Sequence, residues 1–388
     1  MAPRAKLRGW HSGLLLLGLG PVWLLSLHLV FKPDRTALVE GLLTRLVSYW
    51  TAPGAEQAQL RRVNPEWDLM SRTFSVLSFT NLALARPLRR AELLGVTDAL
   101  LEDTLRLEAE RADAFVLPYF HAAPFRDPQA KSLFVDGELA LMLAARQTVA
   151  REPKWDEPLR ERVDRIADQL ERGPVASGES YPDEGWTFCN TIALAALTLS
   201  DRLDGRDHSA LRRRWVAVAQ DRLVEPKTGL FVSSFTWSGR PLDGPEGSSL
   251  WLSLHMLELV EPELARAQYQ RAREALGHAA LGFAWAGEWP SATTGGEDVD
   301  SGPTIPLVGA NAGSSGLAVL GAAAFHDDDF LDALLTSLAF AGFPRREGEA
   351  LRFSAGNVLG DAVIFYALVQ GPLWAKAHQP PGATEARR

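Results

Sequence analysis

The chain has 388 residues, a formal net charge of -8 and a sequence pI of about 5.6. Apolar residues make up 46% and charged residues 23%, the balance of a folded protein, so disorder is expected only at the ends. Nucleic-acid binding is disfavoured, because neutralising phosphates needs a concentrated basic face and only short clusters such as Arg212-Arg213-Arg214 occur. A single cysteine, Cys189, excludes an intramolecular disulfide and a cysteine-based zinc site.

Arg4, Lys6 and Arg8 precede a stretch without charge from Gly13 to Phe31. It is apolar on all faces, basic on one side only, and close to the length needed to cross a bilayer. An export signal or signal anchor is expected. The exit, Leu-Val-Phe-Lys-Pro-Asp, has no small-x-small cleavage pattern, which favours a retained transmembrane helix. The basic flank then stays in the cytoplasm, with the rest of the chain on the periplasmic, extracytoplasmic side. Residues 1–32 read as anchor, 33–378 as one domain, and 379–388 as a loose tail.

Beyond Lys32 the spacing of apolar residues predicts helices almost throughout: near 36–50, 66–86, 90–116, 131–150, 157–172, 186–204, 208–223, 247–259, 262–284, 310–325, 327–341 and 357–375. Gly, Pro and Asp clusters separate them. Leu230 to Trp237 is the best short strand candidate. Small or polar residues open very apolar helices at Gly137, Cys189, Ser249, Ser315 and Asp361, with gaps of 52, 60, 66 and 46 residues. Each gap holds about one helical hairpin. The helices between them, such as 157–172, carry a charged face and belong outside. Inner and outer helices in alternation predict an all-α fold, an (α/α)6-type helical barrel, with a plain helical bundle as the simpler alternative.

In such a ring the loops before the inner helices converge at one end. The densest constellation there runs Ser180-Tyr181-Pro182-Asp183-Glu184-Gly185-Trp186-Thr187-Phe188-Cys189-Asn190-Thr191. Asp183 is expected to cap a helix or to act as an acid. Trp186, Cys189 and Asn190 share a helix face by their spacing. Asp136 and Glu138 enter an apolar helix, which is costly for a carboxylate without a partner or a role. The acidic loop Glu297-Asp298-Val299-Asp300 precedes another inner helix but lacks the EF-hand spacing, and no metal site is expected. Asn357 and Asp361 open the last inner helix. Trp186, Phe188 and Trp251 either line a pocket or pack in the core. His121 and His255 read as ordinary surface or core residues.

One resemblance is specific. The run from Tyr181-Pro182-Asp183 through Cys189-Asn190-Thr191, on to Asp201-Arg202-Leu203-Asp204-Gly205 and to Glu225-Pro226-Lys227-Thr228-Gly229, resembles bacterial linalool dehydratase-isomerase. Weaker likeness extends to Ser132–Leu143, the 297–302 loop and Gly356–Asp361. The resemblance implies an exported, oligomeric α/α barrel, hence a possible homo-oligomer here. It also implies dehydration and isomerisation of a terpene alcohol without metal or redox cofactor. That chemistry needs an acid for the leaving hydroxyl, a base for a neighbouring proton, and an apolar pocket that keeps a carboxyl protonated. Cys189 matches the family's second cysteine, Ser180 stands at the first, and Glu138 stands where the family has histidine. Serine is a far weaker acid than a thiol, and Glu138 can replace an imidazole only with a raised pKa.

The expected function is therefore acid/base lyase or isomerase chemistry on a small apolar, terpenoid alcohol. Glu138, Asp183 and Cys189 are the catalytic candidates, with Asp183 or Asp298 pairing Glu138. Asp136, Ser180, Tyr181, Trp186, Phe188, Asn190, Trp251, Asp298, Asp300 and Asp361 are the candidate substrate contacts. A glycan-active hydrolase or lyase is the alternative, since paired carboxylates and aromatic platforms suit sugars. A non-catalytic lipid-binding barrel is the third reading.

Overall fold

The computed structural model describes residues 5–52, 54–290, 301–302 and 304–379, with side chains from residue 18 onward. In chain order α1 (Ala5–Val30) leads to α2 (Arg35–Thr51), α3 (Ala55–Val63), α4 (Pro65–Ala85), α5 (Arg90–Glu110), α6 (Leu133–Val149) and α7 (Asp156–Arg172). Then follow α8 (Thr187–Asp204), α9 (Ser209–Arg222), α10 (Gly247–Val260), α11 (Pro262–Leu276), α12 (Ala312–Ala324), α13 (Asp328–Ala341), α14 (Val358–Val369) and α15 (Pro372–His378).

Six of these helices close a ring: α4 packs on α6, α6 on α8, α8 on α10, α10 on α12, α12 on α14, and α14 returns to α4. Outside them α5 packs on α4, α7 on α6, α11 on α10, α13 on α12 and α2 on α14, while α9 lies beside α7. The expected barrel is thus the observed architecture. Inner helices such as α6 and α8 are buried on nearly every side because Ala and Leu face both the neighbouring inner helices and the outer layer. Outer helices such as α7 bury one stripe, Leu159, Val163, Ile166 and Leu170, and leave charges to solvent.

The sixth inner helix is α4, in which buried polar residues are interleaved with the buried Leu69, Phe74, Val76, Leu77, Phe79 and Leu82. Ser71, Thr73, Ser75, Ser78, Thr80 and Asn81 are all buried. Their side chains return hydrogen bonds to carbonyls within the same helix, as from Ser75 to Ser71 (2.7 Å) and from Ser78 to Phe74 (2.7 Å). A polar sequence can therefore sit inside without orphaned hydroxyls. Asn64 caps the helix through the amides of Glu66 and Trp67, with Pro65 at its first position.

Short strands occupy the links that lead from outer to inner helices. β1 (Gly185–Trp186), β2 (Ser234–Phe235) and β3 (Pro241–Asp243) form an antiparallel sheet. β4 (Gly277–Ala280) pairs with β5 (Phe283–Ala286), β6 (Thr304–Ile305) with β7 (Ala310–Asn311), and β8 (Pro344–Glu347) with β9 (Ala350–Phe353). Only Ser234–Phe235 of the expected strand 230–237 is extended in a sheet. The helix expected over 262–284 stops at Leu276. Leu281 and Gly282 then take positive φ values of 54° and 79°, the backbone of a tight hairpin turn.

Among the described residues no single helix is long and apolar enough to cross a membrane; Gly18–Val30 is apolar but short. The transmembrane span expected over Gly13–Phe31 is therefore not carried by the described residues alone. Asp298 and Asp300, and the tail from residue 380, lie outside the described residues.

Candidate active site

The six inner helices start at the same end of the ring, so the residues of their first turns meet there. Gly137 of α6 packs against the backbone of Cys189 and Ala193 in α8. This places Glu138 and Cys189 side by side on neighbouring helices.

Glu138 is buried, and its Oε2 has no hydrogen-bond partner. Removal from water pushes its pKa from 4.5 up to about 7, against a smaller opposing pull from the Thr73 hydroxyl of α4. Near neutrality this carboxyl holds a proton for a substantial fraction of the time. Cys189 is equally buried. Desolvation raises its thiol pKa well above the ordinary range, the Ser180 hydroxyl pulls it down, and the charges of Glu138, Glu66 and Glu184 raise it further. The thiol therefore stays protonated, unlike the activated thiolate of a nucleophilic cysteine. Ser180 Oγ is buried and has no well-formed hydrogen bond.

Glu66, in the first turn of α4, completes the cluster. The Tyr181 hydroxyl donates to its carboxylate and accepts from the Leu117 amide at 2.9 Å. Burial and the Glu66 charge hold the Tyr181 phenol far above its usual pKa, so it remains a donor. Tyr119 stacks on Tyr181 with ring centroids 4.5 Å apart, and Phe120 packs against its edge. The sequence reading missed Glu66 and Thr73. An acid in the first turn after Asn-Pro looks like an ordinary helix-dipole partner, and only the ring closure between α4 and α6 brings it to Glu138's end.

Several expected site residues are engaged elsewhere. Asp183 neither caps α8 nor enters the buried cluster. It sits at φ 59° in the preceding turn, accepts from Arg126 (2.8 Å) and from the Trp237 amide (3.2 Å), and is half exposed. The Arg126 hydrogen bond keeps its carboxyl below the ordinary pKa, so it does not serve as a proton donor. Asp136 is held by Arg165 at 2.6 and 3.0 Å, which locks α7 onto α6. Asn190 accepts from the Gly178 amide at 2.9 Å and donates to the Trp186 carbonyl at 2.8 Å, a staple for the start of α8. Trp251 is core: it donates to Ser314 at 3.1 Å and packs across Gly321. Asp361 accepts from the Phe353 amide at 3.1 Å and lies 3.9 Å from Arg45; burial raises its pKa to about 6. It positions β9 beside α14. Trp186 donates to Glu184, and its ring lies 5.8 Å from Phe188, which in turn meets Phe134 at 6.3 Å. Trp186 and Phe188 are half-buried and form an aromatic wall at the start of α8.

The loop that carries these groups is organised by Glu179, another residue with no sequence signal. Its buried carboxylate accepts the amides of Arg126 (2.9 Å), Asp127 (3.0 Å) and Asp183 (2.7 Å). Glu179→Ala should leave three amides without that acceptor, lowering stability by roughly 2–3 kcal/mol. Hydrogen exchange should accelerate at Arg126, Asp127 and Asp183 first, and Glu179→Gln should recover part of the loss.

A cleft of roughly 330 Å³ lies away from this cluster. It is on the outer wall at the C-terminal end of α12, lined by Tyr269, Arg273, Phe325 and Asp327 among others. Tyr269 and Arg273 both hydrogen-bond Asp327 there, which ties α11 to the link between α12 and α13.

No family model matches the chain. Its fold is that of an α/α toroid. The unsaturated glucuronyl hydrolase of Bacillus sp. GL1, described as responsible for glycosaminoglycan degradation, is similar at TM-score 0.52 and 12% identity, over 79% of this chain and 86% of that one. A GH76 alpha-mannanase from Bacteroides thetaiotaomicron covers the same shares at TM-score 0.45 and 11% identity. At such identities the first likeness shows the fold alone.

Proposed function

We propose that this protein is an acid/base enzyme of the α/α toroid type in which Glu138 delivers a proton to a leaving oxygen. The observation that carries this reading is the burial of Glu138, which lifts its pKa to about 7 and leaves its Oε2 without a hydrogen-bond partner. A carboxyl in such a place can hold a proton near neutral pH and give it up as a hydroxyl departs. Glu66, held by Tyr181, is the second carboxylate of the cluster and takes the role of base for a neighbouring proton. Cys189 stays neutral and contributes a polar contact. With an alcohol as substrate the reaction is loss of water, in keeping with the resemblance to linalool dehydratase-isomerase.

A second reading is glycan hydrolysis, and two observations favour it. The solved neighbour with the shared fold, an unsaturated glucuronyl hydrolase, is described as responsible for the degradation of glycosaminoglycan. The outer rim, where Arg126, Asp183, Trp186 and Tyr119 gather, is polar and aromatic in the manner of sugar sites. Both readings use Glu138 as the acid and differ in what reaches it. The test is mass spectrometry of the purified protein with tertiary and primary prenyl alcohols in one arm and unsaturated glucuronyl disaccharides in the other, with Glu138→Gln as control. Loss of water from the alcohols by the wild type only supports the first reading. Cleavage of the disaccharide by the wild type only supports the second. Turnover that survives Glu138→Gln contradicts both.

A further inference from the structure

Helix α1 leaves the ring with most of its described surface uncovered. Leu19, Val22, Trp23, Leu24, Leu29 and Val30 are 47% to 75% exposed. At roughly 100° per residue, Val22 and Leu24 lie on nearly opposite sides of the helix. A protein groove would cover one stripe of such a helix, whereas a bilayer covers every side. The foot of α1 is fixed to the ring. Phe31 packs edge-on to Phe340 with centroids 5.0 Å apart, Phe283 meets the same ring at 5.6 Å, and His28 lies against Gly282 in the β4–β5 turn.

Around that foot the ring exposes more apolar surface: Leu281 is 46%, Phe340 49% and Phe343 66% exposed. Arg345 and Arg346 follow on the exposed strand β8. The patch is continuous with α1, and cations lie at its edge. It belongs to the end of the ring that carries the candidate site, because the link after α13 runs through β8 and β9 into the first turn of α14.

We propose that α1 enters a lipid bilayer and that Leu281, Phe340 and Phe343, with Arg345 and Arg346, dock this rim on the same bilayer, so that the site opens beside the membrane surface. Apolar side chains at the interface and cations among anionic headgroups are the two terms that hold a protein to a membrane surface. The docking does not depend on which reaction Glu138 performs. If the substrate is an apolar alcohol, it reaches the ring from the bilayer.

The test uses the full chain in vesicles of phosphatidylcholine and phosphatidylglycerol. A polarity-sensitive dye is attached in turn to Leu25→Cys, Leu281→Cys, Phe343→Cys and Leu88→Cys, Cys189 being buried. Leu88 is fully exposed beyond the C-terminal end of α4, at the far end of the ring. Dyes at 25, 281 and 343 should be quenched several-fold more by lipid-borne quenchers than the dye at 88. Quenching at 25 with 281 and 343 matching 88 would mean that the ring hangs free on a tether, and the proposal fails. Quenching at none of them removes the membrane altogether. A blue-shifted dye at 343 in detergent, with a doubled mass, assigns the patch to a second copy and also overturns the proposal. Phe340→Cys replaces any variant whose melting midpoint is altered.

Discussion

Glu138→Gln should abolish turnover and, in the same protein, raise stability above neutral pH relative to the wild type. Losing a positioned general acid lowers the rate by about 10²–10⁴-fold. The stability effect has the opposite sign to most core substitutions. In the folded chain Glu138 has its pKa raised from 4.5 to about 7 because it is out of water. Between those values the unfolded chain releases a proton that the folded chain keeps, so stability falls as pH rises. The contribution of the protonated carboxyl is fully present below about pH 4.5 and lost as pH passes about 7; two to three pKa units correspond to roughly 3 kcal/mol. Glutamine has the same shape and cannot ionise. Denaturant titrations at several pH values should therefore show the variant gaining on the wild type by about that amount between acid and mildly alkaline conditions. Wild-type activity should fall over the same upper limb, as the acid form disappears. Parallel stability curves for the two proteins would show that Glu138 ionises normally.

Arg72→Met should be the most destabilising single change in the ring, at about 3–5 kcal/mol. Arg72 and Asp68 are fully buried in α4, at the contact between α4 and α5. The guanidinium lies 3.4 Å from Asp68, 2.9 Å from Asp103 and 3.0 Å from the Thr104 hydroxyl, and its flat faces meet Trp50 and Phe115. Removing it leaves Asp68 with Arg61 alone, at 2.7 Å, and strips both aromatic rings of their cation. Methionine fills the volume but not the charge, so the loss measures the stranded carboxylate rather than a cavity. Arg106 makes exposed ion pairs with Asp103 and Glu110 on the same outer helix, and Arg106→Ala should leave the denaturation midpoint unchanged. Equal effects of the two substitutions would mean that burial does not distinguish these pairs.

The ring was readable from the sequence wherever burial left an apolar mark. Gly137, Cys189, Ser249, Ser315 and Asp361 all stand in the opening turns of inner helices, as their spacing implied. The sixth inner helix was not readable in that way. Its buried hydroxyls bond within α4, so burial there does not demand apolar residues. The β4–β5 hairpin was hidden for a related reason: its residues continue an apolar run, and the turn rests on a positive φ at Leu281 rather than on an Asn-Gly pair. At the site, a carboxylate inside an apolar helix was enough to single out Glu138. Proximity in sequence misplaced Asp183 and Asp136, whose partners Arg126 and Arg165 come from distant segments. Glu66 and Glu179 gave no signal, because their roles exist only after α4 has closed the ring and the 125–128 loop has folded against 179–183.

Glu138 is the group on which the functional account turns, and its protonation can be observed without knowing the substrate. Infrared difference spectra of the wild type against Glu138→Gln, recorded as pH is raised, should contain a protonated carboxyl band that disappears with a midpoint near 7. A band lost near the ordinary carboxyl value, or no band assignable to Glu138, would show that the buried acid at the head of the ring is not a proton donor.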